Sequence, residues 1–177
     1  LVIGGGPAGL MAASVLLERG CAVDVYDAMP SFGRKFLMAG KSGLNLTKNE
    51  PAEELVDAYF NLPEPMRSAV QSFDADAVTR WCEGFGVDTF VGSSGRVFPK
   101  VMKASPLLRA WMADLAEKGA RFFPRHQWLR FDADGAIFQT KDGEVRVSAD
   151  AFLCAFGGGS WARLGSNGAW LPDFEAM

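Results

Sequence analysis

The chain has 177 residues, 49% of them hydrophobic, and a formal net charge of −3, enough to bury one respectable core with a small lobe beside it. Acidic and basic residues are interspersed, so no basic face stands out for nucleic acid. The longest apolar stretch, Leu10 to Leu17, stops at Glu18 and falls far short of the roughly 20 residues that span a bilayer. Cys21, Cys82 and Cys154 form neither a C-x-x-C pair nor a metal-ligand spacing. They read as small buried hydrophobes in a reducing, cytoplasmic setting, and no metal is expected.

Leu1 to Ile3 is a short apolar strand running straight into three glycines. Pro7 to Arg19 reads as a helix that stops at Gly20, and the Val-rich alternation from Cys21 to Tyr26 reads as a second strand, parallel to the first if the helix is the crossover. Ala28 to Asn49 has no sustained periodicity and reads as a long loop of the functional kind. Pro51 to Phe60, Pro65 to Phe73 and Ala75 to Phe85 look helical, the last capped by Asp74. Val87 to Val91 and Val97-Phe98 are strand candidates around Gly92-Ser93-Ser94-Gly95. Pro106 to Lys118 then reads as a helix with Ser105 as N-cap and Gly119 as its stop.

Four strands are expected next: Ala120 to Phe123, Gln127 to Phe131, Ala136 to Thr140 and Glu144 to Val147, the latter ones joined by hairpins at Asp132-Ala133-Asp134-Gly135 and Lys141-Asp142-Gly143. Ala151 to Phe156 is a continuous apolar strand of the fully buried type, again followed by glycines, Gly157 to Gly159. No closing helix or strand is visible from Leu171 to Met177, and the chain opens inside a strand pattern without an initiator Met or leader; both read as the marks of a fragment.

Gly4-Gly5-Gly6-Pro7-Ala8-Gly9 satisfies G-x-G-x-x-G between a strand and a helix, the context that makes the pattern informative. Gly4 allows the tight turn, Gly6 lets a pyrophosphate approach the backbone, Gly9 lets helix and strand sit close, and the phosphate charge rests on the helix N-terminus at Pro7 and Ala8. Asp27, with Ala28 after it, closes the second strand about 20 residues on, where a carboxylate accepts ribose hydroxyls and repels a 2′-phosphate. To this point FAD and NAD are both open. The late strand with its glycine turn, Ala155, Gly157 and Gly158, resembles the Ala-Thr-Gly-type motif of flavoproteins with two dinucleotide-binding domains, and it favours FAD.

Gly33-Arg34-Lys35, then Ala39-Gly40-Lys41-Ser42-Gly43-Leu44-Asn45-Leu46-Thr47, together with Gly95-Arg96-Val97-Phe98-Pro99, Lys103-Ala104-Ser105, Gly158-Gly159-Ser160-Trp161 and Gly165-Ser166, resemble the blocks of a bacterial NAD(P)/FAD-dependent oxidoreductase family. That family includes aminoacetone-oxidase-like and bile-acid-reductase-like flavoproteins. The sequence departs from it at Gly43-Leu44, where Arg-Cys is usual, and at Phe156, where Thr is common. The resemblance implies an α/β, Rossmann-like FAD/NAD(P)-binding domain with a central parallel sheet, an antiparallel β-meander and a small helical insertion.

Residues 1–50 would form the βαβ unit and cofactor loop, 51–95 the helical insertion and 96–177 the rest of the FAD-binding domain, with a substrate domain and a C-terminal FAD segment lying outside this sequence. The activity implied is hydride transfer between a small-molecule substrate and flavin, with NAD(P)H or oxygen as electron partner. An NAD-dependent dehydrogenase and a non-catalytic dinucleotide-binding fragment are the competing readings.

Arg34 and Lys35 are placed at the pyrophosphate or the electron-rich end of the flavin, against the alternative of two solvated loop charges. Asn45 and Thr47 would offer donors to the cofactor, against simple turn-making. With Gly33 and Gly40 they complete the expected cofactor set. His126, the only histidine, lies away from every glycine turn in sequence and reads as a satisfied or surface residue. Trp111 reads as core, and Trp161 as the one tryptophan beside a cofactor loop. No catalytic triad can be assembled, and no catalytic residue is assigned.

Overall fold

The computed structural model describes residues 1–40 and 42–175; Lys41, quoted in the second motif block, and residues 176–177 lie outside them. The chain forms two compact units, one from residues 1–36 with 112–177 and one from residues 37–111.

The first unit is built on a parallel sheet. β1 (Val2–Ile3) leads into α1 (Pro7–Glu18) and β2 (Asp24–Asp27), and β1 and β2 pair in parallel, so the helix is the crossover of a βαβ unit as the sequence predicts. β6 (Arg121–Pro124) joins the far side of β2, and β10 (Leu153–Cys154) joins β1, giving the order β10-β1-β2-β6 with all pairings parallel. Successive side chains of a strand face opposite ways. Val2 and Val25 are fully buried on one face, as are Leu10 and Ala13 of α1. Ile3 and Tyr26, on the other face, form a core with Trp128, Ala136 and Phe138.

The last three come from an antiparallel meander, β7 (Gln127–Asp132), β8 (Gly135–Thr140) and β9 (Gly143–Val147). Tyr26 stacks on Phe123 at 4.4 Å and on Phe138 at 4.7 Å between ring centres, offset pairs that add about 0.5–1.5 kcal/mol each to their area burial. The register of β7 skips at Leu129, between Trp128 and Arg130, a bulge that frees one residue from the ladder.

The second unit holds an antiparallel sheet, β3 (Thr47–Lys48), β5 (Arg96–Pro99) and β4 (Thr89–Val91), in the order β3-β5-β4. The expected helical insertion is present as α3 (Ala52–Asp57), α4 (Glu64–Ser72) and α5 (Ala75–Gly84). Asp74 caps α5 by accepting the Ala77 N–H at 2.9 Å, satisfying one of the orphan donors of the first turn. Trp81 on α5 meets Trp111 edge to face at 4.9 Å, and Trp111 is 1% exposed, a core residue as expected.

Several elements differ from the sequence reading. α2 (Arg34–Ala39) and β3 lie inside the stretch expected to be loop; six residues and two residues are too short to generate a periodic signal. α6 (Ala104–Glu117) begins before Ser105, which therefore sits in the first turn and is not the N-cap. Pro106 is tolerated there because first-turn N–H groups have no intrahelical partner. β10 is only two residues long and is an edge strand, so Leu153 is 38% exposed where full burial was expected. The stretch from Leu171, where no closing helix or strand was expected, begins with a short helix, α7 (Leu171–Glu175), and a 3-10 turn at Ala162–Leu164 precedes it. Among the described residues no helix is long and apolar enough to cross a membrane.

Candidate functional site

The two glycine turns meet. β1 and β10 are adjacent and parallel, the Ala155 N–H donates to the Ile3 carbonyl at 2.7 Å, and both strands end on the same side. Gly4 has φ +109°, and a Cβ there would lie 2.2 Å from the Ala155 carbonyl oxygen. Only glycine fits where the late strand passes this close. Gly9 is under the same constraint from the other side: its Cβ would lie 1.8 Å from the Gly4 oxygen and 3.2 Å from Val2 Cγ1.

Gly6 is different. Its φ of −79° and ψ of −178° suit any residue, and a Cβ there meets nothing within 4 Å. Nothing inside the protein requires glycine at this position. The space faces the N-terminus of α1, where unpaired N–H groups and the helix dipole favour an anion.

Asp27 braces the turn. One carboxylate oxygen accepts the Gly5 N–H at 2.6 Å and the other accepts the Met29 N–H at 2.7 Å. Burial pushes its carboxyl above the usual carboxylate range, opposed by these two N–H groups and by the nearby Arg34 guanidinium. Each oxygen keeps a further lone pair for a hydroxyl donor. The Gly33 N–H closes the arrangement by donating to the Gly5 carbonyl at 2.8 Å.

Together these pieces wall a cleft of about 690 Å³ lying wholly within the first unit, within the roughly 300–1,000 Å³ of small-molecule and cofactor sites. Of the residues singled out from sequence, Gly4, Gly6, Pro7, Ala8, Asp27, Ala28, Gly33, Arg34, Lys35, Ala155 and Gly157 line it. Gly9 sits behind the turn, and the carbonyl of Gly158, beside the wall, accepts a hydrogen bond from Ser166 Oγ. Gly40, Asn45 and Thr47 belong to the second unit and are not among the lining residues.

Arg34 donates through a terminal nitrogen to Ser31 Oγ at 3.2 Å, yet its Nε is buried without a partner. Such an orphaned donor on a charged group is costly unless an acceptor arrives.

The sequence reading missed one wall and misplaced two residues. His126 is not remote from the glycine turns: its N–H donates to the Asp27 carbonyl at 2.9 Å, its Nδ1 lies 2.9 Å from the Pro124 carbonyl, and it lines the cleft with Gln127, Trp128 and Leu129. The parallel pairing of β6 with β2 brings it there. Trp161 is 49% exposed and not among the lining residues; Trp128 and Trp170 are the tryptophans that are. The segment from Ala162 to Asp173 supplies the remaining wall, signalled in sequence only by the Gly165-Ser166 block.

A glycine turn capping a parallel strand, an acidic residue ending the next strand and a helix N-terminus facing a cleft define a Rossmann-type dinucleotide-binding fold. The chain belongs to the family described as the HI0933-like protein Rossmann domain, which matches residues 1–176. It is similar in structure to 3-ketosteroid-delta4-(5alpha)-dehydrogenase from Rhodococcus jostii RHA1 in complex with 4-androstene-3,17-dione, with a TM-score of 0.62 at 15% identity, over 89% of this chain and 45% of that one. A flavocytochrome c3 fumarate reductase in its open conformation matches with a TM-score of 0.61 at 19% identity, over 89% and 33%. Thermovibrio ammonificans THI4 matches with a TM-score of 0.54 at 17% identity, over 88% and 56%. At these identities the likeness is one of fold, and the chain spans between about a third and just over half of those structures.

Proposed function

We propose that this chain is the FAD-binding portion of a flavin-dependent oxidoreductase that moves a hydride between a small-molecule substrate and flavin, with NAD(P)H or oxygen as electron partner. The observation that carries the reading is the meeting of two glycine turns, at Gly4–Gly9 and Gly157–Gly158, on one cleft whose Gly6 position is empty for no reason internal to the protein. The second turn is what an NAD-dependent dehydrogenase does not call for. Two relatives in fold, the ketosteroid dehydrogenase and the fumarate reductase, are oxidoreductases by name, and one is a flavocytochrome.

In this reading Gly4, Gly6, Pro7 and Ala8 hold the pyrophosphate against the N-terminus of α1. Asp27 and Ala28 hold the adenosine ribose through the remaining lone pairs of the carboxylate, and the His126–Leu129 segment flanks the adenine. Arg34 and Lys35 place positive charge along the phosphates or the electron-rich flavin edge, with Gly33 turning the chain between them and Asp27. Ala155, Gly157 and Gly158 flank the flavin half. The roles of Gly40, Asn45 and Thr47 rest on the family resemblance alone. When bound, FAD supplies the electron chemistry, so the chain needs no nucleophile of its own; among the described residues no cluster could hold a metal.

The test is direct. The purified protein should carry a visible flavin band through gel filtration and release FAD on heating, and the band should bleach with NAD(P)H or recover its oxidised form in air. A colourless protein that takes up NAD instead overturns the proposal in favour of a nicotinamide dehydrogenase. A flavin that stays bound but responds to no reductant would leave a binding fragment.

A further inference from the structure

The late glycine turn cannot hold its own shape. Gly157, Gly158 and Gly159 carry no side chains, and a run of glycines surrenders more backbone freedom on ordering than any other sequence. The ladder between β10 and β1 reaches only as far as the Ala155 N–H. Beyond it, two side chains from the segment that follows take over. Trp170 Nε1 donates to the Gly157 carbonyl at 3.0 Å, and Ser166 Oγ donates to the Gly158 carbonyl.

Both donors are built in. Ser166 is 3% exposed, and its hydroxyl lies 2.7 Å from where a Cβ on Gly157 would be, so it occupies the space that a side chain at 157 would need. The ring of Trp170 stacks on Phe156, the residue just before the turn, at 5.5 Å and 28° between planes, and Phe174 meets Trp170 edge-on at 5.8 Å. Phe156 also packs on Trp128 of β7 at 4.8 Å. Thus the indole N–H is aimed by an aromatic stack anchored in the core. Gly157, Ser166 and Trp170 all line the cleft.

We propose that Ser166 and Trp170 are positioning residues for the cofactor, which hold the late glycine turn in the conformation that flanks FAD; the inference rests on the FAD reading above. The physical reason is electrostatic as well as steric. A peptide carbonyl free to swing toward a pyrophosphate or an electron-rich ring repels it, whereas a carbonyl already engaged by a donor is committed elsewhere. Two hydrogen bonds made by side chains outside the turn therefore set which backbone atoms the cofactor meets.

Linkage separates this role from a merely structural one. Losing an interaction that stabilises apo and FAD-bound protein equally lowers the melting temperature of both and leaves the dissociation constant unchanged. Trp170→Phe keeps the stack on Phe156 and removes only the N–H; Ser166→Ala removes the hydroxyl. Each is titrated with FAD as the deflavinated full-length protein, following flavin fluorescence and the shape of the visible band, beside the apo melting temperature. Each variant should weaken FAD binding roughly three- to tenfold, the worth of one hydrogen bond, and alter the band shape. Unchanged FAD affinity and spectrum in Trp170→Phe, with wild type binding normally, overturns the proposal while sparing the FAD reading. If Ser166→Ala does not fold, Trp170→Phe decides alone. A wild-type protein that takes up no FAD overturns both.

Discussion

Gly6 and Gly9 sit three residues apart in one motif, yet the structure gives them opposite jobs, and a pair of substitutions separates these. Gly6 is the N-cap of α1 with an ordinary extended backbone and open space at its Cβ. Asp is a better N-cap than Gly, so Gly6→Asp should leave apo stability unchanged or raise it by a few tenths of a kcal/mol. Its carboxylate would take up the first-turn N–H groups and repel a pyrophosphate. Losing one charge-assisted hydrogen bond costs about 1.5–3 kcal/mol, or roughly 10- to 100-fold in FAD affinity before repulsion is added.

Gly9→Ala drives a Cβ to 1.8 Å from the Gly4 oxygen, so α1 must lift from β1. Overpacking of this kind costs about 1–3 kcal/mol, offset by about 1 kcal/mol of helix propensity, and each net kcal/mol lowers the melting temperature by roughly 2–4 °C at this chain length. Thermal unfolding of the apo proteins and FAD titration form the assay. A Gly6→Asp protein that binds FAD like wild type would refute the placement of phosphate at α1, and a Gly9→Ala protein melting above wild type by the helix-propensity gain alone would refute the close helix–strand approach.

Three further outcomes are expected. Burial holds the Asp27 carboxyl above its ordinary range, so the folded protein keeps this proton at a pH where the unfolded chain has released it; stability should therefore gain as pH falls through the folded value, and Asp27→Asn should lose that gain. The same substitution turns an amide donor toward the Gly5 or Met29 N–H, costing about 1–3 kcal/mol near neutral pH; denaturant melts of both proteins from neutral to mildly acidic pH check the sign. Arg34→Gln should weaken FAD binding about tenfold and flatten its salt dependence, measured by titration at two ionic strengths. Cys82 is fully buried with its thiol pushed up to about 11, whereas Cys21 is exposed; a thiol reagent at neutral pH should label Cys21 first and reach Cys82 only on unfolding, as mass spectrometry of the labelled protein would report.

What could be read from the residues alone was local. The Gly4–Gly9 turn, α1, Asp27 at the end of β2, the Asp74 cap and the two hairpins of the meander each depend on neighbours a few positions away, and turn chemistry and periodicity reveal such arrangements. What could not be read was long-range pairing. In sequence His126 is far from every glycine turn, yet β6 pairs with β2 in parallel, placing Arg121 against Asp24 across 97 positions and delivering His126 to the cleft. Short elements failed for another reason: α2 and α7, of six and five residues, contain too few turns for any hydrophobic stripe.

The late strand shows both effects together. Its apolar run suggested full burial, but its place at the sheet edge leaves Leu153 partly exposed, and its importance comes from where it ends. Only once β10 lies beside β1 does the glycine run at 157–159 acquire a partner, and only then do Ser166 and Trp170, which as sequence were one motif fragment and one tryptophan among five, become the side chains that give the run its shape. Glycine turns advertise themselves in sequence because they lack side chains; the residues that fix their conformation carry no such signature, and they emerge from geometry.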